Sequence, residues 1–218
     1  SIYQHHGFID KFIEDTILAL FGVPGQSREK GALNAVRAAI AMQQAIQDYN
    51  VHRVKSGYLP IAVGIGIHSG PVAIGTVGSE DRMDSTVLGD VVNLASRLES
   101  LTKQYHAKII ISSQTFELMG DEIHSLKWRE LDFVSVKGKD KPVSIFEIMD
   151  CDDITVRDKK CRFLQPYKEG LALYHSRQWK EALVFFQERL KIYPDDVVSQ
   201  SYIDRCEQYI VSPPSDDC

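Results

Sequence analysis

Between residues 90 and 105 the apolar side chains Val91, Leu94, Ala95, Leu98 and Leu101 recur at helical spacing, and Gly89-Asp90 supplies a start signal. The pattern predicts an amphipathic helix. A second helix is predicted over 27–49, where Ala32, Ala35, Val36, Ala39, Ile40 and Ile46 share one face and Ser27 is placed to cap it. Residues 59–68 (LPIAVGIGIH) are short, apolar and β-branched, which predicts a strand covered on both faces. Residues 8–21 read as two short strands around Glu14-Asp15, a hairpin. Further strands are expected at 72–77, 108–112, 128–136 and 143–148, with a loop at 78–84 and a short helix at 113–119. Strands alternating with helices and hairpins predict an α+β fold, helices packed on a mixed sheet.

The pattern changes near residue 150. Residues 150–162 are acidic, then basic, without an apolar period, and read as a linker. Residues 163–210 are helical in pattern throughout. There Gly170, Ala182, Phe186 and Pro194 fall at the spacing of a tetratricopeptide repeat. One such repeat cannot bury its own face, so a small all-α segment that packs on the first domain or on a protein partner is expected. The tail at 211–218 reads as disordered. The expected domains are therefore 1–149, a linker at 150–162, and helices over 163–210.

Composition narrows the function classes. A net charge of −5 argues against a nucleic-acid-binding surface. No run approaches the ~18 apolar residues of a membrane span, and the start carries no signal-peptide pattern. The four cysteines, Cys151, Cys161, Cys206 and Cys218, lack CxxC spacing and read as free thiols of a reducing, cytoplasmic setting.

Polar residues in apolar surroundings mark the candidate chemistry. Lys11, Glu14 and Asp15 interrupt FIDKFIEDTILALFG, where an unpaired buried charge would cost several kcal/mol. They read either as a solvated hairpin tip or as groups aimed into a cleft. Asn93 and Arg97, four apart, share a face offset from the apolar stripe of their helix. They read either as a solvated polar face or as a phosphate and hydroxyl clamp, since guanidinium forks onto phosphate oxygens. Thr86 alone is an ordinary strand threonine, and Lys137 and Lys139 alone an exposed basic turn. His68 reads as structural, and the His5-His6 pair has no ligand partner at metal spacing.

The segment RMDSTVLGDVVNLASRLESLTK resembles the signature of the class III adenylyl and guanylyl cyclases. HHGFIDKFIEDTILALFG, IAVGIGIHSGPVAIGTVGS, KIIIS and SVKGKDKPVSIFEI agree with that family in order and spacing, so the resemblance covers residues 2 to about 149. It implies a ferredoxin-like sheet with packed helices and the conversion of ATP to 3′,5′-cyclic AMP and pyrophosphate. By the same resemblance Asn93 positions the ribose, Arg97 stabilises the α-phosphate in the transition state, and Lys11 contacts the purine. Asp15 holds two Mg²⁺ (or Mn²⁺) ions with a second Asp, and Lys137 lies near the triphosphate. Adenylyl-type members pair the Lys with Asp or Thr, guanylyl-type members use Glu and Cys; Lys11 with Thr86 implies ATP. The resemblance also implies a homodimer, Asp15 serving one site and the partner's Lys, Thr, Asn and Arg completing it.

Two departures qualify the resemblance. Glu14 stands where the family usually has Gly. The F-x-D-I-x-G-F motif that carries the other metal Asp does not occur, so the chain reads as a C-terminal piece of a longer protein, with room upstream for a membrane anchor, lacking the first strand and inactive alone. The competing readings are a catalytically weak nucleotide-binding domain and an interaction module built on the C-terminal helices.

Overall fold

The computed structural model describes residues 1–22, 25–79, 82–134 and 142–214. The chain divides into two units, Ser1–Cys151 and Asp152–Cys218.

The first unit opens with a hairpin of β1 (Phe8–Ile13) and β2 (Thr16–Leu20). Helix α1 follows over Arg28–Lys55, its first turn capped by the Ser27 hydroxyl, which accepts from Lys30 N. Strands β3 (Ile65–Ile67), β6 (Ile109–Ser112), β7 (Trp128–Val134) and β8 (Val143–Ile148) form a sheet in the order β3-β6-β8-β7. β3 runs parallel to β6, and the other pairings are antiparallel. A separate ribbon joins β4 (Ala73–Ser79) to β5 (Arg82–Leu88). Helix α2 (Asp90–Gln104) lies between this ribbon and β6 in sequence, and α3 (Ser113–Leu118) follows β6.

The two faces of the sheet are built differently. Ala32, Val36 and Ala39 of α1 pack with Ile109 and Ile111, Met119, Ile123, Phe146 and Ile148, and Ile65 and Ile67 join this cluster. Phe116 stacks on Phe146 at 4.3 Å and meets Trp128 edge-on at 4.7 Å. Side chains alternate across a strand, so Gly64 and Gly66 face away from these isoleucines. Helix α2 packs against β3 and β6, with Leu94 and Leu98 buried. Across β7 and β8 the directly opposed Arg129 and Glu147 form a fully buried ion pair at 2.5 Å.

Four predicted boundaries move. The strand expected over 59–68 is regular only at Ile65–Ile67. The backbone before it bonds to side chains of α1: Asn50 both donates to Ile61 O and accepts from Ile61 N, at 2.8 Å each, Arg53 Nε donates to Leu59 O, and Gln43 Nε2 to Val63 O. These contacts also explain why α1 runs on to Lys55 rather than ending at 49. The loop expected over 78–84 belongs largely to β4 and β5, which pair from Ala73↔Leu88 to Ser79↔Arg82. Backbone pairing in a ribbon does not require an apolar pattern. The linker expected at 150–162 contains helix α4 (Ile154–Arg162). Asp153 caps it by accepting from Thr155 N, and Lys160 pairs with Asp152 at 2.7 Å with both side chains buried. A helix held by a cap and an ion pair leaves no apolar stripe to read.

The second unit continues with α5 (Leu164–His175), α6 (Trp179–Ile192) and α7 (Val197–Val211), α6 packing on both neighbours. Ala182, Phe186, Tyr167, Tyr202 and Cys206 are buried. A Cβ on Gly170 would lie 3.0 Å from Phe185 Cβ, so α5 and α6 approach closely there. Buried Arg189 bonds to Asp196, donates to Phe163 O and lies over the Tyr167 ring at 4.8 Å. Burial raises the Cys206 thiol to about 11.

Candidate active site

The hairpin presents three of the polar residues singled out in the sequence. Ile13 pairs with Thr16, so Glu14 and Asp15 alone form the turn. Glu14 sits at φ +53°, in the left-handed region that an L residue enters at a cost of about 1–2 kcal/mol. Both turn carboxylates are exposed. Lys11, partly exposed, lies four residues before Asp15 on β1, and its Nζ is 3.4 Å from Asp10 Oδ2. Phe12, Ile13 and Ile17 expose 68%, 51% and 43% of their surface on the same hairpin.

Asn93 and Arg97 lie on the exposed face of α2, one turn apart, while Leu94 and Leu98 turn inward. Two features fix this helix. Gly89, immediately before it, holds φ +148°, a backbone state open to glycine. Gly64 and Gly66 let the helix rest on the backbone of β3: a Cβ on Gly66 would lie 2.2 Å from Glu99 N, and one on Gly64 2.0 Å from Thr102 Oγ1. The β3 end is itself tied down, with His68 Nδ1 2.8 Å from Ser112 Oγ and Ser69 Oγ 3.0 Å from Thr115 Oγ1. His68, read from the sequence as structural, thus contacts Ser112 at the end of β6.

Thr86 lies in β5, opposite Gly75 in the register. Lys137 and Lys139 lie outside the described residues. The structure thus puts Lys11 and Asp15 on one hairpin, Asn93 and Arg97 on one helix, and Thr86 on the strand leading into that helix.

Asp15 fits a hard divalent cation. Its carboxylate is exposed at a two-residue turn, and Mg²⁺ takes one or two carboxylates and fills its remaining positions with water and substrate phosphate oxygens. Among the described residues no three His, Cys, Asp or Glu side chains come together as a metal cluster.

Two features went unread in the sequence. One is the bare glycine face of β3, signalled by the Gly-x-Gly spacing of VGIGIH. The other is Asp10, where the strand pairing slips. Its signal was a pattern of apolar pairs around Asp10-Lys11 in place of strict alternation.

Residues 4–149 match the family described as "Adenylate and Guanylate cyclase catalytic domain". The chain belongs to this family. The cyclase domain and the helices after it are 40% identical over 210 residues to "Adenylate cyclase, terminal-differentiation specific" of Dictyostelium discoideum, covering 96% of this chain and 10% of that protein. An "Adenylate cyclase" of Anabaena cylindrica is 47% identical over 154 residues, 68% of this chain and 29% of its own length. The chain therefore spans less than a third of either relative. Among solved structures, the guanylyl cyclase Cya2 superposes with a TM-score of 0.57 at 39% identity, over 67% of this chain and 72% of that one. Cyclases named for either nucleotide thus share the fold, and the choice between them rests on individual side chains. Among the described residues no helix is long and apolar enough to cross a membrane.

Proposed function

We propose that the protein of which this chain is part is an adenylate cyclase, forming 3′,5′-cyclic AMP and pyrophosphate from ATP for intracellular signalling. The observation that carries the choice of nucleotide is the pair Lys11 and Thr86 in a cyclase domain whose curated relatives are named adenylate cyclases. Lys11 donates to adenine N1, and the Thr86 hydroxyl accepts from the exocyclic amine. On guanine, Lys11 would face the N1–H donor, and unmatched buried donors are strongly disfavoured.

Asn93 orients the ribose. Arg97 donates its forked N–H groups to the α-phosphate oxygens as charge builds during in-line attack of the ribose 3′-oxygen and departure of pyrophosphate. Two divalent cations, Mg²⁺ or Mn²⁺, with Asp15 among their ligands, would lower the pKa of the ribose 3′-hydroxyl and neutralise phosphate charge. Lys137 stands near the triphosphate in this reading.

The site is completed between two copies of the chain arranged head to tail. The exposed Phe12, Ile13 and Ile17 support this, because they offer apolar surface beside Lys11 and Asp15. The C-terminal helices act as a tetratricopeptide-like pair followed by a third helix, a surface for a protein partner. The close approach at Gly170 and the buried Ala182 and Phe186 support that assignment. The absence of CxxC spacing among the four cysteines of the sequence supports a reducing, cytoplasmic location.

Glu14 favours a second reading, a catalytically weak nucleotide-binding domain, because a strained residue occupies the metal turn. Comparing ATP with GTP turnover in the full-length protein, before and after exchanging Lys11 and Thr86 for Glu and Cys, tests the proposal. Nucleotide binding without turnover supports the second reading.

A further inference from the structure

In a regular strand, residues 10 and 11 would point to opposite faces. In β1 they do not. Ile9 pairs with Ala19 and Lys11 with Leu18, so Asp10 is an extra residue, a β-bulge. The bulge lets the two neighbours meet, with Asp10 Oδ2 3.4 Å from Lys11 Nζ. The Asp10 side chain is only 9% exposed, against 33% for Lys11. Its Oδ2 makes no hydrogen bond, so the contact is an ion-pair distance without hydrogen-bond geometry. Aspartate is depleted in strands, and a buried carboxylate oxygen left unbonded is a burden on folding. Bulges concentrate beside active sites, where they re-aim a side chain.

We propose that Asp10 is a positioning residue for purine recognition: its carboxylate holds the Lys11 ammonium in the orientation from which it donates to adenine. This rests on the reading of Lys11 as the purine contact. A lysine stem loses considerable rotamer freedom when it is fixed, and a neighbouring anion held by a bulge fixes it before substrate arrives. Substrate binding displaces water around the pair, which strengthens the attraction and draws the ammonium into a hydrogen bond with Oδ2. Asp10 touches neither the nucleotide nor the reacting atoms; it acts through Lys11.

The test uses the full-length protein with Asp10→Asn, Asp10→Glu, Lys11→Ala and the double variant Asp10→Asn/Lys11→Ala, each assayed with ATP and GTP and by thermal unfolding. Asp10→Asn should lower kcat/KM for ATP about tenfold, mostly through KM, and lower the ATP-to-GTP ratio, with no loss of melting temperature. Asp10→Glu should recover part of the ratio. The double variant should be no worse than Lys11→Ala, because the two residues act as a unit. If Lys11→Ala lowers the ratio while Asp10→Asn leaves it unchanged, the proposal fails and the reading of Lys11 stands. If Lys11→Ala also leaves the ratio unchanged, both fall. An Asp10→Asn protein that does not fold, or that melts early with its ratio intact, would show that Asp10 serves the strand alone and overturn the proposal.

Discussion

A Cβ on Gly66 would lie 2.4 Å from the carbonyl oxygen of Ala95, closer than real atoms come. Strand β3 and helix α2 are therefore in backbone contact, and this contact sets where Asn93 and Arg97 stand. Gly66→Ala should push α2 outward. Overpacking of this kind costs about 1–3 kcal/mol, and a displacement of about 1 Å at a catalytic group can cost ~100-fold in rate. Thermal unfolding and kcat of the full-length variant measure the two effects, and both should fall, the ~100-fold loss in kcat corresponding to about 2.7 kcal/mol.

Arg97 acts in the transition state in this account. Arg97→Ala should lower kcat by about 10²–10³ with little change in KM, the signature of a group that does not contribute to ground-state binding. Steady-state kinetics of the full-length variant decide it. The side chain is exposed, so melting should change little.

Glu14 holds a left-handed backbone at the turn that presents Asp15. Glu14→Gly should relieve about 1–2 kcal/mol of strain, offset in part by the greater freedom of glycine in the unfolded chain. A small rise in melting temperature is expected. Glu14→Val, β-branched at a positive φ, should lower it. Calorimetry on the pair gives the sign of each.

In the second unit Tyr174 stacks with Tyr209 and meets Tyr202 edge-on at 4.9 Å. Burial, followed by the nearby Tyr209, raises its hydroxyl from 10.0 to about 12. The folded state therefore keeps a proton that the unfolded chain gives up. The stability this contributes is fully present below pH 10.0 and is lost as the pH rises to about 12. Tyr174→Phe should flatten that decline in chemical denaturation measured across the same range.

The elements legible in the sequence were those whose neighbours are side chains. The stripe of Leu94 and Leu98, the exposed turn at Glu14-Asp15 and the strand at residues 143–148 all write their burial or exposure into residue type. What stayed hidden depends on contacts that leave no apolar period. Asn50 and Gln43 hold the backbone before β3, Asp153 and the Asp152–Lys160 pair hold α4, and β4 and β5 hold each other through backbone bonds. The same holds at the candidate site. Lys11, Asp15, Asn93 and Arg97 stood out as candidates by type and spacing, and their proposed roles come from the family resemblance. The devices that orient them, the bulge at Asp10 and the bare face of β3, are properties of pairing and close approach.

The most direct measurement is the kcat/KM of the full-length protein for ATP and for GTP with Mg²⁺ or Mn²⁺, in the wild type and in Lys11→Glu/Thr86→Cys. The account predicts 3′,5′-cyclic AMP as the favoured product of the wild type. It also predicts a shift toward GTP in the exchange variant, because Glu accepts from guanine N1–H and the 2-amino group. A wild type that prefers GTP, or a ratio that the exchange leaves unchanged while activity remains measurable, would contradict it.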